Sequence, residues 1–159
     1  MTSLAAEVLT ALQGRTLATA ESCTGGGVGA ALTAVPGSSA VYKGGIISYC
    51  NEIKRKLLGV DPAVLETLGA VSAPVAEAMA RGARQALDAD AAVSVTGLAG
   101  PGGDEFGHPV GTVFLGYADG ARCVSEEHHF SGSREEVRRQ AAEAALGLIL
   151  KMKRGDQKD

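Results

Sequence analysis

The chain reads as one α/β domain, with strands and helices in layers and a mixed sheet. Three early strand-like apolar runs, at residues 16–20, 45–49 and 91–95, are separated by stretches with helical spacing. That alternation builds a layered α/β domain. Two later runs, at 110–117 and 122–130, flank Asp119-Gly120, a strong hairpin signal that adds antiparallel strands. The 159 residues carry no linker and no internal repeat, and this length is enough for one buried core.

The elements follow in order. Leu4, Val8, Leu9 and Leu12 fall on one helical face. The strand at 16–20 runs into Glu21-Ser22-Cys23-Thr24-Gly25-Gly26-Gly27, and a helix of small residues follows to about Leu32. Pro36-Gly37-Ser38-Ser39 breaks the chain before the second strand, at 45–49. Asn51 is placed to cap a short helix through Leu57, closed by Gly59. Asp61-Pro62 pairs an N-cap with proline at the first helical position, and that helix stops at Gly69. Ser72 opens the next, with Pro74 in its first turn and Leu87 near its end. Residues 96–108 form a loop with five glycines, Pro101 and two acids. After the hairpin, Ser131 or Ser133 caps a long helix to about Met152, with Glu135 and Glu136 in its first turn. The domain is expected to span 1–154, with 155–159 a polar tail.

Composition excludes several functions. Lys and Arg number 15 against 18 Asp and Glu, a net charge of −3, which disfavours non-specific binding to nucleic-acid phosphates. No apolar run in the sequence reaches the roughly 18 residues of a membrane span. The N-terminus lacks a basic lead and carries Glu7 early, unlike a secretory signal. Neither nucleic acid nor membrane is an expected partner. Cys23, Cys50 and Cys123 are too few and scattered for a disulfide framework, and read as reduced thiols in a cytoplasm. His108, His128 and His129 fall in no zinc spacing, so no metal is expected. Glycine, 22 of the residues, is about twice its usual share and serves loops with unusual backbone angles.

Four places carry chemistry. The strand-to-helix turn at 21–27 offers unpaired amides and glycines to a phosphate or carboxylate; the same residues also fit an ordinary cap by Ser22 or Thr24. In Tyr49-Cys50-Asn51-Glu52-Ile53-Lys54, Lys54 rises one turn from the helix start, toward the strand ends where α/β sites gather. A buried, partly neutral lysine there serves as a base toward Ser22, although a solvated lysine beside Arg55 and Lys56 fits as well. The loop Thr96-Gly97-Leu98-Ala99-Gly100-Pro101 can present amides to an anion. Ser131-Gly132-Ser133-Arg134, with Arg138 one turn on, supplies arginines suited to bidentate phosphate contact or to solvent.

Taken in order, these segments resemble the CinA C-terminal domain family: Ala20-Glu21-Ser22-Cys23-Thr24-Gly25-Gly26, Pro36-Gly37-Ser38-Ser39, Tyr49 to Lys54, Gly69-Ala70-Val71-Ser72, Thr96 to Pro101, Pro109-Val110-Gly111-Thr112-Val113, and Phe130 to Arg134 with Arg138. The resemblance covers about residues 5–150. It implies a three-layer α/β/α domain with a mixed, mainly parallel sheet ending in the antiparallel hairpin. It implies nicotinamide-nucleotide amidohydrolase activity of the PncC type: NMN and water give nicotinic acid mononucleotide and ammonia, with no cofactor. Ser22, Tyr49 and Lys54 become the expected catalytic group. Cys23, Thr24, Gly25, Gly26, Asn51, Thr96, Gly97, Gly100, Arg134 and Arg138 become the expected substrate contacts, with amides near 24–26 facing the oxyanion and the glycine loops, Arg134 or Arg138 holding phosphate. With 21 residues before Ser22 the chain looks like the stand-alone form, and a homo-oligomer, a dimer, is expected. Two rivals stand beside this reading. One is a Cys23-dependent amidase with Glu21 and Lys54 as partners; the other is a pyridine-nucleotide-binding or interaction module without turnover.

Overall fold

The computed structural model describes residues 2–157. In chain order the elements are α1 (Thr2–Ala11), β1 (Leu17–Glu21), α2 (Gly27–Thr33), a short 3-10 turn (Ser38–Ala40), β2 (Tyr42–Ile47), α3 (Asn51–Leu58), α4 (Pro62–Thr67), α5 (Ala73–Ala86), β3 (Ala91–Gly97), β4 (Thr112–Asp119), β5 (Cys123–His129) and α6 (Arg134–Gln157). The strands lie in the order β2-β1-β3-β4-β5. β1 pairs in parallel with β2 and β3, while β4 runs antiparallel to both β3 and β5. All strands but β4 therefore point one way, and the sheet is mixed and mainly parallel as the sequence implies.

Helices cover both faces. On one, α1, α2 and α6 bury Val8, Leu12, Val28, Leu146 and Ile149 against Leu17, Val93, Val95 and Leu115. On the other, α3, α4 and α5 bury Leu58, Leu65, Val75 and Met79 against Ala18, Ala20 and Ala92. Leu17 thus faces one layer and Ala18 and Ala20 the other, the period of two that a strand imposes. Each of the valine, leucine, isoleucine and methionine side chains contributes about 1.5–3 kcal/mol on full burial. The small residues of β1 and β3 let α5 sit close to the sheet, where Ser94 Oγ donates to the Ala76 carbonyl. Gly82 of α5 lies against the Leu58 carbonyl at the end of α3, where a Cβ would collide. That close approach fixes α3, the helix that carries Lys54.

Most ends follow local chemistry. Gly59 closes α3 in the left-handed region, at φ 69°, as a C-terminal glycine does. Asp61 caps α4 through the Ala63 amide. Ser133 caps α6 in a reciprocal box: its hydroxyl accepts from the Glu136 amide, and its own amide donates to Glu136 Oε1. Three helix ends differ from expectation. Cys50, not Asn51, is the N-cap of α3, and Asn51 is the first helical residue. Ser72 precedes α5, but its hydroxyl bonds the Gly69 carbonyl instead of a helix amide. α6 continues past Met152 to Gln157, with Arg122 bonding both the Met152 carbonyl and Asp156. The tail expected from residue 155 is helical to Gln157, and residues 158–159 lie outside the described ones. No helix among the described residues is long and apolar enough to cross a membrane.

Candidate functional site

β1 and β2 end in one row, with Glu21 beside Ile47 and beside Val95 of β3, which runs two residues further, to Gly97. The next residues continue the alignment: the Ser22 amide donates to the Val95 carbonyl at 2.9 Å, and the Ser48 amide to the Glu21 carbonyl at 2.8 Å. The site is built just beyond this carboxyl edge, where open α/β sheets place their ligands.

Glu21 turns back under the glycine turn. Its carboxylate, almost fully buried, accepts from Thr24 Oγ1 at 2.7 Å, the Val28 amide at 2.9 Å and the Gly29 amide at 3.0 Å. The positive end of α2 is thus already occupied by a protein carboxylate, as helix N-termini favour. Gly26 precedes α2 at φ 106°, in the left-handed region. There it meets the tip of Ile47.

Ser22 and Lys54 meet directly. Lys54, one turn into α3, is 1% exposed, and its Nζ donates to Ser22 Oγ at 3.1 Å and to the Ser48 carbonyl at 2.6 Å. Burial pushes the Lys54 ammonium down from its usual 10.5 to about 8, against an opposing pull from the Cys50 and Cys23 thiols. About a tenth of the side chain is then a free base at pH 7. The sequence reading required such a lysine, and the helix start at Asn51 brings it there.

The pair opens on a cavity of about 530 Å³. Of the expected residues, Ser22, Cys23, Tyr49, Asn51, Lys54, Thr96, Gly97, Gly100 and Arg134 line it. Tyr49 lies two residues beyond β2 and is 64% exposed. Its hydroxyl bonds Arg134 Nη2 at 3.2 Å, and no described hydrogen bond joins it to Ser22 or Lys54. Arg134 Nη1 donates to the Gly100 carbonyl at 2.6 Å. Thr96 Oγ1 is turned to the Ala70 carbonyl.

Four expected contacts fall outside the cavity wall. Thr24 is bonded to Glu21. Gly25 and Gly26 form the back of the turn. Arg138 is committed to the turn itself, with Nε on the Cys23 carbonyl at 3.0 Å and Nη2 on the Thr24 carbonyl at 3.3 Å. The anion site expected at the start of α2 is therefore corrected: its Val28 and Gly29 amides serve Glu21. Amides next to the serine remain: that of Thr24 donates to no described acceptor, and that of Cys23 faces only its own thiol. Cys23 lies on the wall, but burial pushes its thiol up to about 11, leaving almost no thiolate near neutrality, which argues against it as the nucleophile.

Sequence reasoning missed four contributors. Ser48 supplies the carbonyl that holds Lys54; its signal was its place beside Ser22 in the parallel row. Glu105 and Phe106 line the cavity from the glycine loop. Asp104 shapes that loop by accepting from the Phe106 and His108 amides and pairing with His108 Nδ1 at 2.7 Å. No group of three or more His, Cys, Asp or Glu side chains is placed to hold a metal among the described residues.

Comparison with known proteins gives consistent matches. The family model described as the CinA C-terminal domain matches residues 1–153. A Pseudomonas putida protein named nicotinamide-nucleotide amidohydrolase PncC is 51% identical over 134 residues, covering 84% of this chain and 84% of that protein. A CinA-like protein of Geobacter metallireducens is 50% identical over 136 residues, 86% of this chain. The aligned part is 33% of that relative, so the chain spans about a third of its length. A crystal structure of a CinA superfamily protein from Klebsiella pneumoniae superposes with a TM-score of 0.94 at 34% identity, covering 97% of this chain and 98% of that one.

Proposed function

Because the chain belongs to the CinA C-terminal domain family, we propose that it is a nicotinamide-nucleotide amidohydrolase, converting NMN and water to nicotinic acid mononucleotide and ammonia. The observation that carries this reading is the contact between the buried Lys54 amine and the Ser22 hydroxyl at the floor of the cavity. The name of the Pseudomonas putida relative supports the substrate.

In this mechanism neutral Lys54 takes the Ser22 proton as Oγ attacks the carboxamide carbon. The tetrahedral oxyanion lies against the Thr24 amide, which is free, and the Cys23 amide, which gives up its weak bond to its own thiol, each such donor contributing about 3–4 kcal/mol. Collapse breaks the C–N bond, and the Lys54 ammonium returns its proton to the departing ammonia. Water then attacks the acyl-serine, again giving its proton to Lys54; collapse breaks the C–Oγ bond, the Lys54 ammonium returns that proton to Ser22 Oγ, and the acid product ionises and leaves as the carboxylate. Arg134 is the cavity's guanidinium and receives the phosphate; Tyr49 orients it through their hydrogen bond. The chemistry requires neither cofactor nor metal, and the free thiols suit a cytoplasmic setting.

The test is ammonia release from NMN with EDTA present, together with mass spectrometry for an acyl adduct. Turnover with label on Ser22 is expected. NMN binding without ammonia, even at high protein concentration, would instead favour the binding module.

A further inference from the structure

Ser48 is the residue that the mechanism above uses only through its backbone. It follows β2 directly and stands beside Ser22 in the row of strand ends. Parallel neighbours in register present side chains to the same face, with strands about 4.8 Å apart. Ser48 keeps the parity of Ile46, which packs with Ala18, Ala20 and Leu58, so its side chain is directed to the layer that holds Lys54. It is 0% exposed, and its Oγ is a buried side-chain polar atom with no hydrogen-bond partner among the described residues. Nearby hydroxyls are satisfied: Thr96 by the Ala70 carbonyl, Ser94 by that of Ala76, Thr24 by Glu21. An orphan hydroxyl in a native interior calls for an explanation.

Counting the protons on Lys54 supplies one. An ammonium has three N–H donors. Two have acceptors, Ser22 Oγ and the Ser48 carbonyl. The third has none. On a neutral amine that vacancy costs little, whereas on a buried ammonium it is severe, because bonds to charged groups are the strong ones. The Ser48 hydroxyl belongs to the residue whose carbonyl already touches Nζ, and its Oγ, free of any other partner, can turn about the Cα–Cβ bond on the same side of the sheet. We infer that Ser48 is a positioning residue: its hydroxyl accepts the third N–H of Lys54 when the base becomes an ammonium, and so holds it between the two proton transfers. The inference rests on Lys54 acting as the base toward Ser22.

The other titratable or charged groups around Lys54 are Cys23, Cys50, Tyr49 and Arg134, with Asp104 and Glu105 on the loop. The α5 side of the packing is apolar, through Met79 and Ala83. Cys23 is buried and uncharged as well, but its sulfur is a weak acceptor, and the others do not combine burial with a neutral acceptor as Ser48 does.

Ser48→Ala tests the assignment through two pH profiles, kcat/KM for ammonia release from NMN and the rate at which phenylmethanesulfonyl fluoride modifies Ser22. Both depend on neutral Lys54, so both rise with pH through its titration. Removing an acceptor of the ammonium makes the amine easier to deprotonate. The rising limb should move down by about one pH unit while the plateau of kcat/KM falls roughly tenfold. At pH 7, where Lys54 is mostly an ammonium, the Tm should fall, and at a pH above the titration of Lys54, where the hydroxyl has no donor to accept from, it should stay level. A limb that stays in place overturns the inference, whatever the change in rate. Should the wild type release no ammonia from NMN, the amidohydrolase reading fails by itself. The labelling profile then still decides for Ser48, supporting it if the limb moves and refuting it if not.

Discussion

Replacing Lys54 by methionine should raise stability at neutral pH while destroying activity. Met nearly matches the lysine stem in length, so the core around α3 stays filled. What disappears is a charge that burial disfavours. The fall from 10.5 to about 8 corresponds to about 3 kcal/mol against the folded ammonium, at about 1.4 kcal/mol per pH unit. The sign follows from proton counts. Below pH 8 the lysine is protonated in both folded and unfolded chains, and the folded one carries the whole cost. Between pH 8 and 10.5 the folded chain has released the proton while the unfolded chain keeps it, so wild-type stability climbs with pH. Above 10.5 both are neutral and the cost is gone. Hydrogen bonds lost to Ser22 and Ser48 add a term of opposite sign, about 1 kcal/mol each, that does not follow this titration. The advantage of Lys54→Met over wild type should therefore shrink by about 3 kcal/mol between pH 7 and pH 11. Urea denaturation of both proteins across that range measures it. Loss of the base should lower kcat by a factor of about 10²–10⁴. An advantage that is flat with pH, or ammonia release within tenfold of wild type, would refute the desolvated-base argument.

Three further outcomes are expected. Ser22→Ala should abolish ammonia release with NMN affinity kept within a few fold, whereas Cys23→Ala should keep most of the activity, because the thiol at about 11 is no nucleophile near neutrality; parallel assays of the two separate them. Arg134→Ala should raise KM for NMN about tenfold or more while altering kcat less, whereas Arg138→Ala should lower Tm by freeing the Cys23 and Thr24 carbonyls, a contrast read by steady-state kinetics and thermal melts. Gly82→Ala should destabilise by about 1–3 kcal/mol, since its Cβ meets the Leu58 carbonyl, and an unchanged melting temperature would show that α3 and α5 have more freedom than their packing suggests.

The fold was legible in the sequence because its signals are local. Apolar runs of strand length, Asp61-Pro62, Gly59 and Asp119-Gly120 each act within a few residues, and each gives the element expected of it, some strands with shifted ends. The ends that moved are those decided by partners distant in sequence. The second strand was expected at 45–49, yet pairing with β1 begins at Tyr42 and stops at Ile47, where β1 ends at Glu21. Tyr49 consequently stands past the sheet and bonds Arg134, 85 residues away in sequence. α6 continues to Gln157 beside Arg122, whose contacts with Met152 and Asp156 no helix-end rule contains.

The site was legible to the extent that short spacing determines it. Ser22 follows a strand, Lys54 lies one turn into the next helix but one, and parallel pairing joins them. The anion site at α2 failed for a reason equally physical. Unpaired amides at a helix start attract whichever anion can be held there, and a carboxylate in the same chain competes with a ligand. Glu21 sits at the end of β1, close enough to turn back and take the Val28 and Gly29 amides. That capture has a consequence for the serine. With its inner side tied to Glu21 and its carbonyls to Arg138, the turn is held from two directions. On the proposed mechanism, the amides beside Ser22 would then be preorganised for an oxyanion, while an anionic group on the substrate would find its positive charge across the cavity, at Arg134.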